Sequence, residues 1–199
     1  MFHLIGSRAE SVSRETGKRL RLYESLVLKW NRAINLVSKS DEGQLWERHI
    51  QDCLDMVPHI PSGSTRLIDL GSGSGLPGLV LAIATGLHAD LIESDVRKAV
   101  FLREAARLTE APVTVHSCRL EAARLPRSNL VTARALARLD QLLIYTEQFL
   151  EQHGVGLFPK GNDPEPEIIQ CALSWDFDVS VTKTSIGSLV AIRNLRRIL

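Results

Sequence analysis

The sequence predicts an α/β protein: a Rossmann-like, doubly wound, mostly parallel sheet with an N-terminal helical cap and a C-terminal β-hairpin. Three observations support this fold class. Apolar residues recur at helical spacing before residue 62. From Arg66 onward, short apolar runs alternate with helix-like segments. The C-terminal part then holds two β-rich runs around the turn sequence "SIGS".

The segment before residue 62 is predicted to be helical. Its apolar positions have three- and four-residue spacing in two stretches, and Pro58 ends the second stretch. These positions are Leu20, Tyr23, Leu26, Val27, Trp30 and Ile34, followed by Leu45, Trp46, His49, Ile50, Cys53, Leu54 and Val57. We therefore expect residues 1–62 to form a cap and residues 63–199 to form the α/β domain, in one compact unit.

Strands and helices are predicted to alternate after the cap. The strands are expected at Arg66–Leu70, Ala89–Glu93, Val113–His116, Asn129–Ala133 and Val155–Phe158. The helices between them are expected at Leu79–Thr85, Arg97–Thr109 and Gln141–His153. Such alternation indicates a parallel sheet covered by helices on both faces. The stretch "FDVSVTKTSIGSLVAIRNL" predicts the closing hairpin.

The composition is that of a globular protein of one domain. The chain has 199 residues, of which 44% are apolar and 24% are charged. No stretch has the apolar core of a signal peptide or the length of a membrane span. Cys53, Cys118 and Cys171 lie far apart without a CxxC pair, which argues against a disulfide framework or zinc site. We expect a cytoplasmic protein with no membrane partner, and we assign no metal.

The net charge of +1 conceals two basic clusters. Between Arg8 and Lys39 there are eight Lys or Arg residues and three Glu residues. The second cluster lies between Cys118 and Asp140 and contains Arg119, Arg124, Arg127, Arg134 and Arg138. Any one of these cations is consistent with a solvated helix face. Two clusters in a nearly neutral chain nevertheless favour a bounded anionic partner such as structured nucleic acid.

The stretch "LIDLGSGSGLPGLVL", residues 67–81, is predicted to form the ligand site. It follows the first strand and opens the first helix of the α/β domain. In a doubly wound sheet, this position lies at the crevice where ligands bind beyond the carboxyl ends of the strands. Glycine permits positive φ there and lets a ligand approach the backbone amides.

Two cofactors are compatible with this loop. The glycines at 73, 75 and 78 satisfy the GxGxxG pattern of dinucleotide-binding folds, and Glu93 stands 20 residues after Gly73. Gly71, Gly73 and Gly75 also satisfy the GxGxG pattern of S-adenosylmethionine (SAM) enzymes.

Asp69, just before the loop, favours SAM over NAD. An anion there repels a pyrophosphate, whereas it suits the ammonium and sulfonium groups of SAM. The place of the loop in the chain also favours SAM, because NAD domains usually begin near their first strand and here two predicted helices come first.

Seven sequence blocks resemble a known family. The chain strongly resembles the glucose-inhibited division protein B family, bacterial methyltransferases that modify guanine N7 in the 530 loop of 16S ribosomal RNA. Cys53 stands where that family commonly has Ser, and residues 162–188 contain no recognised motif. The blocks are "WNRAINL" (30–36), "RHIQDCL" (48–54), "DLGSGSGLPG" (69–78), "LIESDVRKAVFLRE" (91–104), "CRLE" (118–121), "ARAL" (133–136) and "PKG" (159–161).

The resemblance implies a SAM-dependent methyltransferase fold and a set of cofactor-binding residues. The glycine loop is expected to wrap the methionine and ribose portions, and the residues after the third strand the adenine. Glu93 is expected to accept hydrogen bonds from the ribose hydroxyls, although an exposed acid that starts a helix with Asp95 is the alternative. For Glu121 the alternative is a salt bridge to Arg124. The implied residues are Asp69, Gly71, Gly73, Gly75, Leu76, Glu93, Leu120, Glu121 and Arg134.

The resemblance also implies 16S ribosomal RNA, in the small ribosomal subunit or its precursor, as the partner. We expect the protein to act as a monomer. Arg134 ends the fourth strand and is expected to touch the cofactor, the guanine or both. His49 shares the apolar stripe of its helix, which is also consistent with a core histidine. The candidate substrate-binding residues are Arg134, Arg119, Lys160, Asn35, Arg48 and His49.

The chemistry of the fourth strand agrees with methylation at guanine N7. The sequence "TARAL" has neither the [DN]PP[FYW] motif of exocyclic-amine methylation nor the cysteine nucleophile of pyrimidine carbon-5 methylation. Guanine N7 has an in-plane lone pair and no proton to lose, so we name no catalytic acid or base. The competing functions are a methyltransferase acting on another RNA, a protein or a small molecule, a dehydrogenase, and a non-catalytic SAM-binding module.

Overall fold

A computed structural model gives the structure of residues 12–161 and 163–198. The first eleven residues of the predicted cap, with Arg8 of the first basic cluster, lie outside the described residues. Seven strands form one sheet within the described ranges. They are β1 (Arg66–Leu70), β2 (His88–Ile92), β3 (Val113–His116), β4 (Ser128–Ala133), β5 (Leu150–Lys160), β6 (Trp175–Lys183) and β7 (Ser188–Arg197).

The strand order is β3-β2-β1-β4-β5-β7-β6. The five strands from β3 to β5 are parallel, whereas β7 runs antiparallel to both β5 and β6. The chain builds outward in one direction from β1 to β3 and then returns to place β4 on the other side of β1. This reversal of strand order creates a crevice beyond the carboxyl ends of β1 and β4.

Six α-helices cover the two faces of the sheet in the described ranges. One buried cluster joins α1, α3 and α4 to the sheet, and the other includes α5 and α6. The two clusters are apolar layers on opposite faces, as expected for a doubly wound sheet. The helices are α1 (Arg14–Asn31), α2 (Gln51–Leu54), α3 (Gly78–Thr85), α4 (Val96–Leu108), α5 (Leu139–Phe149) and α6 (Glu165–Cys171).

The predicted architecture is confirmed, including the C-terminal hairpin and the bounds of β1 and β3. The continuous helix predicted over Leu45–Val57 is wrong. A 3-10 turn (Lys39–Gln44) and a π-helical turn (Trp46–Ile50) precede the short α2, and Gln51 N bonds to Trp46 O. Apolar spacing does not distinguish these helix types, because it reports which side is buried and not which carbonyl each amide meets.

Two further differences from the prediction are larger than a shift of one or two residues at the end of an element. The helix predicted to continue to His153 ends at Phe149, because β5 begins at Leu150 and is longer than expected. The helix α6 was not predicted, since its seven residues are too few for a periodic pattern. The division of the chain at residue 62 stays a prediction. No helix of the described residues has the length and apolar character needed to cross a bilayer.

Candidate functional site

The crevice beyond β1 and β4 contains a cavity of about 410 Å³. Its walls come from the glycine loop after β1, from the residues after β2 and β4, and from the cap segment between α1 and α2. Four separate parts of the sequence therefore meet at one site. The predicted site residues that line this cavity are Gly71, Gly73, Leu76, Glu93, Arg134 and His49.

A second cavity of about 150 Å³ adjoins the first. Gly71, Ser94 and Leu136 line both cavities, so the two spaces meet beside the glycine loop. The second cavity extends toward the segment after β3, where Leu120 and Glu121 line it. Together the cavities form an elongated site along the carboxyl edge of the sheet.

The glycine loop has a backbone that side chains would disturb. Gly71, Gly73 and Gly75 have φ angles of 65°, 56° and 94°, in the left-handed region that favours glycine. A Cβ at Gly71 would lie 2.5 Å from Cδ1 of Leu136. The hydroxyl of Tyr23 in α1 donates to Ser74 O at 2.8 Å, so the cap supports the loop from behind. The glycines therefore leave the loop backbone accessible to a ligand at the junction of the two cavities.

Glu93 is a buried acceptor that is fixed by backbone amides. The residue is only 7% exposed. Oε2 accepts from Gly73 N at 2.8 Å, and Oε1 accepts from Asp95 N at 2.7 Å. Asp95 itself caps α4, accepting from Arg97 N and Lys98 N. The alternative of an exposed acid that starts the helix is therefore wrong for Glu93.

The Glu93 carboxylate retains capacity for a ligand. A carboxylate oxygen can accept more than one hydrogen bond, and each oxygen of Glu93 accepts from one backbone amide of the described residues. Because the residue also lines the larger cavity, ligand hydroxyls there would meet an acceptor that is already oriented.

Asp69 lies behind the glycine loop. It is completely buried, and Oδ1 accepts from Thr132 Oγ1 at 2.6 Å. Burial raises the pKa of this carboxyl to about 6, although the hydrogen bond from Thr132 acts in the opposite direction. Asp69 is not among the described residues that line either cavity. A role of Asp69 in binding therefore stays a prediction.

Arg134 follows β4, and its guanidinium is bound to the cap. Nη1 donates to His49 O and Nη2 donates to Arg48 O, each at 3.3 Å, and Nη2 also contacts His49 Nδ1. Nη1 lies 3.8 Å from Asp52 Oδ2. The side chain is 14% exposed and lines the larger cavity. The structure therefore brings the predicted arginine to the site, and its contact with cofactor or base stays a prediction.

His49 stands between Arg134 and an acidic residue of the cap, Asp41. Its Nε2 lies 3.3 Å from Asp41 Oδ2, and Arg48 Nη1 lies 2.9 Å from Asp41 Oδ1. Burial and the Arg134 charge lower the pKa of His49, so the imidazole is neutral at pH 7 and its Nδ1 can accept from the guanidinium. The hydrogen bond from Ser38 lowers the pKa of Asp41, which stays ionised.

The smaller cavity contains the residues predicted to lie after the third strand. Leu120, Glu121 and Arg119 all line it. Tyr145 on α5 donates its hydroxyl to Glu121 Oε1 at 3.1 Å. Arg124 donates to the backbone carbonyl of Glu121 at 2.8 Å instead of pairing with its carboxylate. The alternative salt bridge is therefore not formed.

Five predicted residues do not line either cavity in the part of the chain that the structure describes: Asp69, Lys160, Asn35, Arg48 and Gly75. Lys160 Nζ bonds to Glu167 Oε2 at 2.8 Å, so its charge is paired. Asn35 is exposed next to the cavity wall. Gly75 packs the loop on α3, since a Cβ there would lie 2.8 Å from Leu79 Cβ. Their binding roles stay predictions.

Several residues that line the cavities were not predicted, among them Ser38, Asp41, Lys98 and Tyr145. Ser38 and Asp41 belong to a segment without apolar periodicity, so no pattern placed them near the loop. Lys98 lies on α4, and a helix position gives no indication of which cavity it faces. No group of three or more His, Cys, Asp or Glu residues in the described ranges is placed to hold a metal ion.

The arrangement fits a SAM molecule. SAM is an elongated ligand with an adenine, a ribose and a methionine portion, and the paired cavities give an elongated site with open backbone at its middle. Glu93 supplies a fixed carboxylate for hydroxyl groups, which form strong hydrogen bonds to a charged acceptor. The absent side chain at Gly71 keeps the junction between the cavities open.

The family model described as rRNA small subunit methyltransferase G matches residues 16–195. Curated proteins named "Ribosomal RNA small subunit methyltransferase G" are similar over most of their length. One from Granulibacter bethesdensis is 47% identical over 190 residues, covering 94% of this chain and 89% of that protein. Another, from Gluconobacter oxydans, is 44% identical and covers 94% of this chain and 98% of that protein. A third, from Rhodospirillum centenum, is 50% identical over 171 residues, with 86% and 79% covered.

Solved structures share the fold at low identity. TYW2 from M. jannaschii, in complex with AdoMet, has a TM-score of 0.59 and 16% identity, with 84% of this chain and 80% of that chain covered. The ribosomal protein L11 methylase of Lactobacillus delbrueckii subsp. bulgaricus has a TM-score of 0.56 and 18% identity, with 73% and 76% covered. The predicted methyltransferase fold class is therefore confirmed.

Proposed function

Since the chain belongs to the rRNA small subunit methyltransferase G family, we propose that it transfers a methyl group from SAM to N7 of a guanine in the 530 loop of 16S ribosomal RNA. The observation that carries the proposal is the pair of cavities where the strand order reverses, joined at Gly71 beside the buried Glu93. Membership of the family supports small-subunit ribosomal RNA as the substrate. The seven sequence blocks support guanine N7 as the methylated atom and the 530 loop as its location.

Different residues of the chain bind the ribose, methionine and adenine portions of the cofactor. Glu93 accepts hydrogen bonds from the ribose hydroxyls, and the backbone of Gly71 and Gly73 lies against the ribose and methionine portions. Leu120 and Glu121 bind the adenine in the smaller cavity. These assignments are supported by the residues that line each cavity. SAM supplies the methyl group and the positively charged sulfur that makes this group reactive.

The protein promotes the transfer mainly by positioning the two reactants. Guanine N7 has an available lone pair and loses no proton, so the reaction needs no general base. Holding two reactants in line can supply about 7–11 kcal/mol of the barrier. The cap side of the larger cavity offers Asp41, His49 and Arg134 as polar groups against which a base can be oriented. We assign none of them as acid or base.

The RNA is recognised by shape and by a small number of charges. A base must leave its stack to enter a pocket, which favours a guanine in a loop. With a net charge of +1, the protein lacks the broad basic surface that binds RNA indiscriminately. The candidates for phosphate contacts are two exposed cations, Arg48 and Arg119. We place the protein in the cytoplasm as a monomer that acts on the small ribosomal subunit or its precursor.

The experiment is methyl transfer to defined ribosomal particles. Purified protein is incubated with labelled SAM and with small subunits from a strain that lacks this enzyme, and the modified nucleoside is mapped by mass spectrometry. We expect one 7-methylguanosine in the 530 loop. Subunits from a strain that has the enzyme are the control and should take up little label, because their site is already modified. Label in a protein, in another RNA or on another guanine atom would contradict the proposal.

A further inference from the structure

Asp52 is a buried acidic residue that joins the C-terminal hairpin to Arg134. It lies in α2 and is 3% exposed. Its Oδ1 accepts from Thr184 Oγ1 at 2.9 Å, and its Oδ2 lies 3.8 Å from Arg134 Nη1. Thr184 belongs to the turn between β6 and β7, 132 residues further along the chain. One carboxylate of the cap therefore contacts two elements that are distant in sequence.

The turn fixes the direction of the Thr184 hydroxyl. Thr184 Oγ1 accepts from Gly187 N at 3.1 Å, and Thr184 N donates to Gly187 O at 3.1 Å. Because one lone pair of the hydroxyl is used by Gly187, its hydrogen is available for Asp52. The turn thus presents a preset donor that orients the carboxylate.

The pairing of Asp52 with Arg134 determines where a positive charge lies. The two side chains are 5% and 14% exposed. A buried ion pair is often no more stabilising than apolar residues of similar volume, so stability alone does not explain it. The hydrogen-bond acceptors of the guanidinium also belong to the cap: they are the carbonyls of Arg48 and His49, His49 Nδ1 and Cys53 Sγ. The cap therefore sets the position of the Arg134 charge at the wall of the larger cavity.

We propose that Asp52, oriented by Thr184, is a positioning residue for the methyl transfer and holds the Arg134 guanidinium at the cavity wall. The inference rests on the proposed function only for its activity measurements, because ligand binding is measured separately. Neither Asp52 nor Thr184 is among the described residues that line the two cavities, so both act through Arg134. The C-terminal hairpin, which lies in the region without a recognised motif, thereby becomes part of the support of the site.

The first test compares Asp52→Asn with Arg134→Ala. Asparagine keeps the size of the side chain and an acceptor for Thr184, but it removes the charge that faces Arg134. We expect Asp52→Asn to change the same parameter as Arg134→Ala, by about twofold to a hundredfold, the range of coupling between residues in one charged network, because the contact at 3.8 Å is an ion pair and not a hydrogen bond. The parameters are the Kd for S-adenosylhomocysteine by calorimetry and kcat on small subunits at saturating SAM.

A double variant separates positioning from a merely structural role. If Asp52 acts through Arg134, adding Asp52→Asn to Arg134→Ala produces no further change in that parameter. A structural role would give independent, additive losses. Effects that add fully, or an Asp52→Asn protein with wild-type Kd and wild-type kcat, would overturn the proposal.

Variants of Thr184 test the same chain of contacts without changing a charge. Thr184→Val removes the hydroxyl, and we expect a loss of about twofold to tenfold in the parameter that Arg134→Ala changes, because Asp52 keeps its charge and loses only the hydrogen bond that orients it. Thr184→Ser should retain wild-type values because it keeps the donor. These two proteins keep the proposal testable if Asp52→Asn does not fold. Equal values for valine and serine would overturn it.

Ser185→Ala is the matched control. Ser185 Oγ donates to Asp55 Oδ2 at 2.9 Å, so it joins the same turn to the cap without contacting Arg134. We expect wild-type Kd and kcat; a loss equal to that of Thr184→Val would mean that the turn only holds the cap in place. A wild-type protein that binds S-adenosylhomocysteine but does not methylate small subunits would refute the proposed function, while the binding measurements still test Asp52.

Discussion

Replacing Gly78 by alanine should destabilise the protein through a steric conflict at the base of the site. Gly78 is the first residue of α3. A Cβ there would lie 2.5 Å from Leu91 Cδ2, 2.6 Å from Asp69 Cβ and 2.8 Å from Asp69 Cγ. Both neighbours are completely buried in adjacent strands. The Asp69 atoms are close to the backbone of β1, so they cannot move aside without moving the strand that precedes the glycine loop.

The size of the effect follows from the cost of overpacking. Adding a methyl group to a well-packed interior costs about 1–3 kcal/mol. For a chain of this size, each 1 kcal/mol corresponds to about 2–4 °C in Tm, so we expect a decrease of about 2–12 °C. Because Asp69 and the loop move together, SAM should also bind more weakly.

Gly17→Ala is the matched control, since it makes the same chemical change in open space. Gly17 lies in α1, and a Cβ there would meet no atom within 4 Å. Alanine should therefore stabilise the helix by up to about 1 kcal/mol. Thermal unfolding of both variants, with and without S-adenosylhomocysteine, is the assay. A Gly78→Ala protein as stable as the wild type, or two variants that shift Tm in the same direction, would refute the reasoning.

Four further predictions concern the cofactor, two buried carboxylates and the substrate. S-adenosylhomocysteine should raise Tm by binding the native state, whereas NAD should not; a shift with NAD alone would contradict the cofactor assignment. Glu93→Gln should raise the KM for SAM by about tenfold to a hundredfold with little change in kcat, because the lost hydrogen bonds exist in both ground and transition states. An unchanged KM would remove Glu93 from the ribose site. Asp69 has a folded pKa of about 6, above its ordinary 3.8, so the folded state holds its proton more tightly and the charged form is the unfavourable one. Wild-type stability should therefore gain about 1 kcal/mol relative to Asp69→Asn between pH 7 and pH 5, measured by urea unfolding; no relative gain would show that this carboxyl is not desolvated. Assembled small subunits should be methylated faster than short single-stranded RNA of the same loop sequence, and equal rates would argue against recognition by shape.

The sheet could be predicted because its signals are local. β1 and β3 are short apolar runs bounded by turn residues, and their limits were correct to the residue. The π-helical turn Trp46–Ile50 could not be predicted in this way. Two carbonyls of this turn accept from Arg134, which follows β4 some 85 residues later, so its conformation depends on a partner that local spacing does not reveal.

The site was predictable where a role depends on the backbone or on strand position. Gly71, Gly73 and Glu93 were placed at the crevice by their distance from strand ends, and they line the larger cavity. Charge alone was a weaker guide. Asp69 lies behind the loop, and Lys160 is paired with Glu167 of a helix too short to predict, so the binding roles of both residues stay predictions.

The position of β7 has a consequence for biosynthesis. β7 is the latest described strand to leave the ribosome, yet it lies inside the sheet between β5 and β6. Until it is made, β5 presents an open edge to the cytosol and β6 has no neighbour at all, because β7 is the strand with which β6 pairs. A nascent chain grows at roughly 5–20 residues per second, so this interval lasts on the order of seconds. Since unpaired edges invite association with other chains, the nascent methyltransferase is most open to aggregation or to chaperone binding just before its sheet is completed.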